Sequence, residues 1–345
     1  MKAPFLFALG LLTAFSTGCV SNNSTQQTLV KSSENARVTT DDIDKLVNKK
    51  AVYIGNFGVT FVVQDSSSSK AESPMIRHNS GDYAKAHLVA KLSGVSDNTF
   101  QAITDQAYNT FVKDLEKKGY QVKNYADLQT NSLFKTMTKL STPHFPSPQG
   151  LFQKMKGSKN MIAFAPSNMS LIYNFDAPYL GKFGELAEQL KTPVLSVNYK
   201  VHFAYFDKDA DYKVDYIESV PLGSKSPQKT ANLSASVSLG QGIQVVSGSK
   251  LIVMQDNGGT FNRNSSVTLK DPVVAIGAYG RNKDTTSDAT KAANALSSAL
   301  GMFSGRSSST TEISITAEPK YYEFGANKVL NEATNRLVKA LPMQN

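Results

Sequence analysis

Leu195-Ser196-Val197-Asn198-Tyr199-Lys200-Val201-His202-Phe203-Ala204-Tyr205-Phe206 is the stretch whose pattern decides the fold. Leu195, Val197, Tyr199, Val201, Phe203 and Tyr205 fall on one side of an extended chain, and Ser196, Asn198, Lys200 and His202 on the other. Strict alternation with β-branched and aromatic residues is the signature of a long strand with one apolar face. Such a strand has the length to cross a bilayer in a β-barrel, for which about 9–11 residues suffice. The other extended segments lack the matching apolar girdle, so the aromatic face is expected to pack on the protein's own helices.

Two segments supply those helices. Ser96-Asp97 is an N-cap pair. Phe100, Ile103, Ala107, Phe111 and Leu115 follow at helical spacing, and Gly119 marks the stop. Near the C-terminus, Pro319 opens a second helix with a face of Tyr322, Ala326, Leu330, Ala333, Leu337 and Leu341, closed by Pro342. A third, weaker helix is expected over Asp288 to Phe303. Its apolar side is mostly alanine with Leu296, Leu300 and Phe303, so it reads either as a helix lying on the sheet or as an interaction element.

The remaining body reads as strands. Ala51 to Val63 is one, with two glycines suggesting a bulge. Tyr83 to Leu92 is a second, expected to pair with the first. Tyr120 to Val122, Asn160 to Ala165, Met169 to Tyr173, Ile243 to Met254, Val267 to Ala278 and Thr311 to Thr316 complete the set. Ser66 to Gly81 and the proline-bearing Leu133 to Gly157 read as loops. The expected architecture is a single α+β domain: a mainly antiparallel sheet with two principal helices packed on one face.

Composition sets the bounds of function. The chain has 345 residues, 40% hydrophobic and 19% charged, enough to bury a large core and too apolar for a disordered chain. Lys+Arg 37 against Asp+Glu 28 gives a net charge of +9. That balance attracts anionic lipid headgroups, envelope polymers or acidic proteins. The cations are scattered without interleaved aromatics, and no helix-turn-helix or zinc-finger spacing occurs, so nucleic acid is not an expected partner. One Cys excludes an internal disulfide framework.

That Cys stands at a particular place. Met1-Lys2 is followed by the apolar run Phe5-Leu6-Phe7-Ala8-Leu9-Gly10-Leu11-Leu12, then Ser16-Thr17-Gly18 and Cys19. This is secretory signal architecture, too short for a stable spanning helix. Thr17, Gly18 and Cys19 resemble the lipobox of bacterial lipoproteins, with Ser16 where an aliphatic residue is usual. The resemblance implies lipidation of Cys19, a lipid anchor in the membrane, and, with Val20 rather than Asp next in line, an outer-membrane location facing the periplasm. Residues 1–18 are then the leader, 19–49 the lipidated Cys and a polar tether, and 50–345 the periplasmic α+β domain. The layout of that domain is also loosely similar to the periplasmic bodies of the curli secretion-channel lipoproteins.

Chemistry is harder to find. Asp207, Asp209, Asp211, Asp215 and Glu218 fall at places one, three, five, nine and twelve of a candidate calcium loop. Tyr212 occupies the sixth place, where the sharp turn wants Gly, and the preceding segment reads as strand, so an acidic hairpin turn is the competing reading. His78, His87, His144 and His202 show no ligand spacing, and His202 reads as a satisfied surface residue. No G-x-S-x-G or phosphate-cradling loop occurs, and Gly240-Gln241-Gly242 reads as a turn. Neither catalytic residues nor a cofactor site are therefore assigned, calcium being the sole candidate. The expected function is a non-enzymatic binding, assembly or scaffold role in the envelope, bound to a protein or an anionic polymer. The alternative is a periplasmic enzyme or ligand binder whose site only the fold assembles.

Overall fold

The computed structural model describes residues 36–72, 83–146, 160–172, 180–216, 229–255, 265–304 and 306–344. In chain order the elements are β1 (Val38–Asp41), a 3-10 turn (Ile43–Leu46), β2 (Ala51–Val62), β3 (Gln64–Glu72), β4 (Tyr83–Ser93), α1 (Asp97–Lys117), β5 (Gln121–Val122), α2 (Tyr125–Thr130), α3 (Ser132–Lys135), β6 (Lys139–Leu140), β7 (Met161–Phe164) and β8 (Leu171–Ile172). Then come α4 (Leu180–Leu190), β9 (Val194–Tyr216), β10 (Lys229–Val245), β11 (Lys250–Met254), β12 (Ser265–Leu269), β13 (Val273–Ile276), β14 (Gly280–Asp284), α5 (Asp288–Ser304), β15 (Arg306–Ala317) and α6 (Pro319–Lys339).

The alternating stretch from Leu195 to Phe206 lies in β9, at the centre. β9 pairs with β2 in parallel and with β11 and β10 antiparallel, inside a nine-stranded sheet with the order β1-β12-β11-β9-β10-β13. Both of its faces are buried here: the odd-numbered side chains pack on the helices, and Ser196, Asn198 and His202 of the side that alternation marks as polar are covered as well. Tyr199 stacks edge-on against Phe57 of β2 at 5.8 Å, and its hydroxyl shares a 2.9 Å hydrogen bond with Thr334 of α6. Phe57 and Phe61 meet Phe111 and Phe100 of α1. The two principal helices therefore cover one face of a mixed, mostly antiparallel sheet, and the α+β class holds.

α1 begins where the sequence places it. Ser96 accepts from the Thr99 amide through its hydroxyl, and Gly119 takes φ +86 just past the end. α6 has Pro319 in its first turn and buries Tyr322, Ala326, Leu330, Ala333 and Leu337. α4 is not among the expected elements. It lies on the opposite face, where Gly55 leaves room for Phe183 and Val194: a Cβ there would sit 2.7 Å from the ring. The β2 register also shifts between Ile54 and Asn56, the bulge that the glycines suggest. On this second face Asn56 donates to Ser196 and Asn198 and accepts from the Ile172 amide, so its buried amide is well partnered.

Several expectations need correction. Gln64–Glu72, which overlaps the start of the Ser66 to Gly81 segment read as a polar loop, is a strand. Its serines alternate in and out, and small side chains suit the tight layer they enter. β4 pairs with β3 and β15, not with β2. Ile243 to Met254 is not one strand: a turn with Gly248 at φ +85 separates β10 from β11. Val267 to Ala278 is likewise interrupted, with Lys270-Asp271-Pro272 dividing β12 from β13. The loop expected from Leu133 contains α3 and β6 before leaving the described residues at 147–159. Residues 36–49, expected in the tether, belong to the folded body instead: β1 pairs with β12, and Arg37 is clamped to Asp271 at 2.8 Å.

Candidate functional site

β9 is 23 residues long, and only its first half belongs to the body. From Ala204 onward it pairs with β10 alone, forming a two-stranded ribbon through to Tyr216 and Lys229. The ribbon lies across the four-stranded sheet β14-β15-β4-β3, and Ser69 of β3 donates to the Asp209 carbonyl at 2.6 Å. The layer between them is made of small groups: Ser67, Ser69, Ala71, Ala84, Ala86 and Ala90 are buried, together with Leu88. Val237, Leu239 and Phe206 close it from the ribbon side.

The candidate calcium residues lie on the outer face of this ribbon. Asp207, Asp209 and Asp211 stand directly opposite Ser238, Ser236 and Ser234. Asp207, Lys208, Asp209, Ser236 and Ser238 line a shallow open cleft. An acidic hairpin turn was expected after Phe206; the chain instead continues as strand. Cross-strand pairing with β10 and packing on β3 hold it extended, which local composition does not reveal. Strand rise puts Asp207 and Asp211 about 13 Å apart, too far for both to reach one ion with oxygen contacts of about 2.3–2.6 Å. Asp215 continues in the same strand with its side chain outside the described part, and Glu218 lies outside the described residues altogether, as does Cys19. Among the described residues no group of three or more His, Cys, Asp or Glu could hold a metal ion.

His202 corrects another expectation. It is buried, 7% exposed, rather than a surface residue. Its Nδ1 accepts the Ala204 amide at 3.1 Å, so the ring proton sits on Nε2, which donates to Asp65 at 2.8 Å. Burial raises the Asp65 carboxyl, but the hydrogen bonds from His202 and from the Ser66 amide, with Lys208 nearby, outweigh it and leave the pKa below its ordinary value. Both imidazole nitrogens are thereby occupied. A general base needs a free lone pair aimed at a substrate proton. This pair instead pins the start of β3 to β9 at the point where the ribbon leaves the body.

Gly240-Gln241-Gly242 is not a turn but part of β10. Gly240 faces Tyr205 across the ribbon, and a Cβ would collide with the tyrosine ring lying over it. Gln241 ties the start of β14 down: its amide oxygen accepts from Tyr279 at 3.1 Å, and its nitrogen donates to the Gly280 carbonyl at 3.1 Å.

No known family model, curated protein or solved structure matches this chain. The outer face of the four-stranded sheet is the feature that sequence reasoning passed over. Lys70, Lys85, Lys91, Arg281 and Lys283 are exposed there, interleaved with Ser66, Ser68, Ser93, Ser314 and Thr316. The alternation of Lys85, His87 and Lys91 with buried alanines in β4 was the available signal; its partners come from strands far away in sequence. The ribbon and the four-stranded sheet beneath it, together a lobe beside the body, thus present an acidic outer face on the ribbon and a net basic one on the sheet. No helix among the described residues is long and apolar enough to cross a membrane.

Proposed function

We propose that this chain is a cell-envelope lipoprotein, lipidated at Cys19 and held at the periplasmic side of the outer membrane, with a non-enzymatic binding or assembly role. The observation that carries the non-enzymatic part is the saturation of His202. The buried imidazole is tied to Asp65 and to the Ala204 amide, while the charged groups nearby lie on exposed strand faces, where an extended partner can reach them. The anchor rests on the leader and on the position of Cys19 directly after Ser16-Thr17-Gly18. Two or three acyl chains on one residue would give a lasting attachment at about 0.8 kcal/mol per buried CH₂. Metabolic labelling with a clickable fatty acid tests it. Label on the wild type that disappears in Cys19→Ala supports the reading; an unlabelled, freely soluble wild type, or label that persists in Cys19→Ala, overturns it.

A further inference from the structure

The sheet β14-β15-β4-β3 has two unlike faces. Inward lie Ala84, Ala86, Leu88 and Ala90 of β4 and Ile315 and Ala317 of β15. Outward, the pairing registers align the side chains in rows. Lys70 faces Lys85 directly across β3 and β4. Lys91 and Lys283 share a row, with Ser314 of β15 between them, and Arg281 stands in the next row beside Thr316 and Ser93. Like charges opposite each other on neighbouring strands destabilise a sheet. Here the repulsion is eased locally, since Lys70 is paired with Glu72 and sits 5.1 Å over the Tyr83 ring. Lys85, Lys91, Arg281 and Lys283 outnumber the acidic groups of the same face, Glu72 at its end and Glu312 in the Val89 row between Lys85 and Lys91, so a surface about 20 Å long is net positive.

Hydroxyls fill the gaps. Ser93 Oγ lies 3.2 Å from Thr316 Oγ1 and 3.4 Å from Ser314 Oγ, and Ser68 Oγ is 2.8 Å from His87 Nδ1. A hydroxyl both donates and accepts, which matches the alternating needs of a sugar chain. The exposed large apolar residues, among them Phe145, Ile276, Leu296, Tyr321 and Phe324, lie elsewhere. The face therefore offers neither the apolar wedge of a membrane-surface element nor a row of rings for stacked bases.

The open edge of this sheet is also closed by side chains. Along the upper half of β15, where β14 no longer pairs, α5 turns its polar side inward. Asn294 donates to the Thr310 carbonyl at 2.6 Å and accepts from its amide at 2.8 Å, and Ser297 accepts from the Ser308 amide. Thr286 accepts from the Glu312 amide. The open backbone edge is thus sealed by side chains, and the outward face keeps its rows to the end of the strand.

We infer that the outer face of this sheet is the binding surface for a linear anionic glycan, its carboxylate, sulfate or phosphate groups on Lys85, Lys91, Arg281 and Lys283 and its hydroxyls on the serines and threonines between. The inference deepens the binding role proposed above by naming the partner's chemistry. Its test is separate from the anchor, because Cys19→Ala removes the lipid and leaves this face untouched.

The full-length chain in detergent is titrated with heparin, a linear sulfated glycan, over a range of salt. The triple variant Lys85→Glu, Lys91→Glu, Arg281→Glu is compared with Lys113→Glu, Lys123→Glu, Lys320→Glu, an equal charge change at exposed positions of the body. The face triple should lose at least tenfold in affinity, and its slope of log affinity against log salt should flatten by roughly two to three. The body triple should shift affinity less than twofold. Lys85→Gln, Lys91→Gln, Arg281→Gln, which avoids buried strain and new repulsion, should fall between, with an unchanged melting temperature. Equal loss in both charge-reversed triples means bulk attraction and overturns the inference, as does unchanged binding by the face triple. Binding to phosphatidylglycerol vesicles that is tighter than to heparin and is lost in the face triple would make the surface a lipid contact instead. Salt-sensitive self-association lost in Asp207→Lys, Asp209→Lys would assign it to a second copy's acidic ribbon.

Discussion

The two halves of β9 are one continuous strand in two different kinds of structure. From Leu195 to Phe203 every odd side chain is buried, with Tyr199 at 1% exposure held between β2 and α6. From Tyr205 to Asp211 the same strand turns one face to solvent, with Tyr205 37% exposed and lying over Gly240, while Phe206 packs inward. The first half is stabilised by the burial of large apolar groups, at about 25 cal/mol per Å². The second half rests on cross-strand pairing with β10 and on a thin layer of serine and alanine under the ribbon. Stability is thus concentrated in the body, and exposed chemistry in the lobe.

The largest expected effect lies in the body. Phe57→Ala removes a ring that contacts Tyr108, Phe111 and Tyr199, and should cost about 3–5 kcal/mol in denaturant unfolding. Leu239→Ala, in the half-buried layer of the ribbon, should cost about 1 kcal/mol by the same measurement. Equal losses would break the contrast between the two halves.

Next comes the sealed edge of β15. Asn294→Ala removes both hydrogen bonds to Thr310, and should cost about 1–2 kcal/mol with faster hydrogen exchange at the Thr310 amide. A slow Thr310 amide in that variant would mean that α5 is not what protects the edge.

An opposite sign is expected at Tyr322. Its hydroxyl is buried and has no hydrogen-bond partner among the described residues, while its ring packs on Tyr279 at 5.5 Å and on Phe100. Burial drives its pKa far up, so the proton stays on and its donor goes unused. Tyr322→Phe keeps the ring and should raise stability by about 1 kcal/mol in denaturant unfolding. A loss instead would reveal a partner for the hydroxyl.

The smallest effect concerns the junction of the two halves. Asp65 has a lowered pKa in the folded state, so its contribution is complete above the ordinary carboxylate value near about 3.9 and is lost as pH falls through the folded value. Because the carboxylate is 47% exposed, solvent screening holds the contribution below about 1 kcal/mol. Melting curves from pH 6 to pH 3 should show wild type losing its advantage over Asp65→Asn only at the acid end. An advantage that grows on acidification would reverse the assigned direction.

The body was legible in the sequence because its signals are local. The alternation at Leu195–Phe206, the Ser96 cap and the helical spacing of Tyr322, Ala326 and Leu330 each report a buried face within a dozen residues. The lobe was hidden because its strands are defined by distant partners. Asp207 to Tyr216 carries charges that locally favour a turn, yet pairs with Lys229 to Ser238. Ser66 to Ser69 has little strand propensity, yet every second serine is buried under the ribbon. The basic face follows the same rule: Lys85 and Lys91 alternate visibly, whereas Arg281 and Lys283 join them only through β15.

Native-state hydrogen exchange along β9 tests the division between body and lobe most directly. Amides between Leu195 and Phe203 should exchange only on global unfolding. Those between Asp207 and Asp211 should exchange at least about a hundredfold faster, through local opening of the ribbon. Uniform protection from Leu195 to Asp211 would contradict the account, since it would make the ribbon part of the same cooperative core.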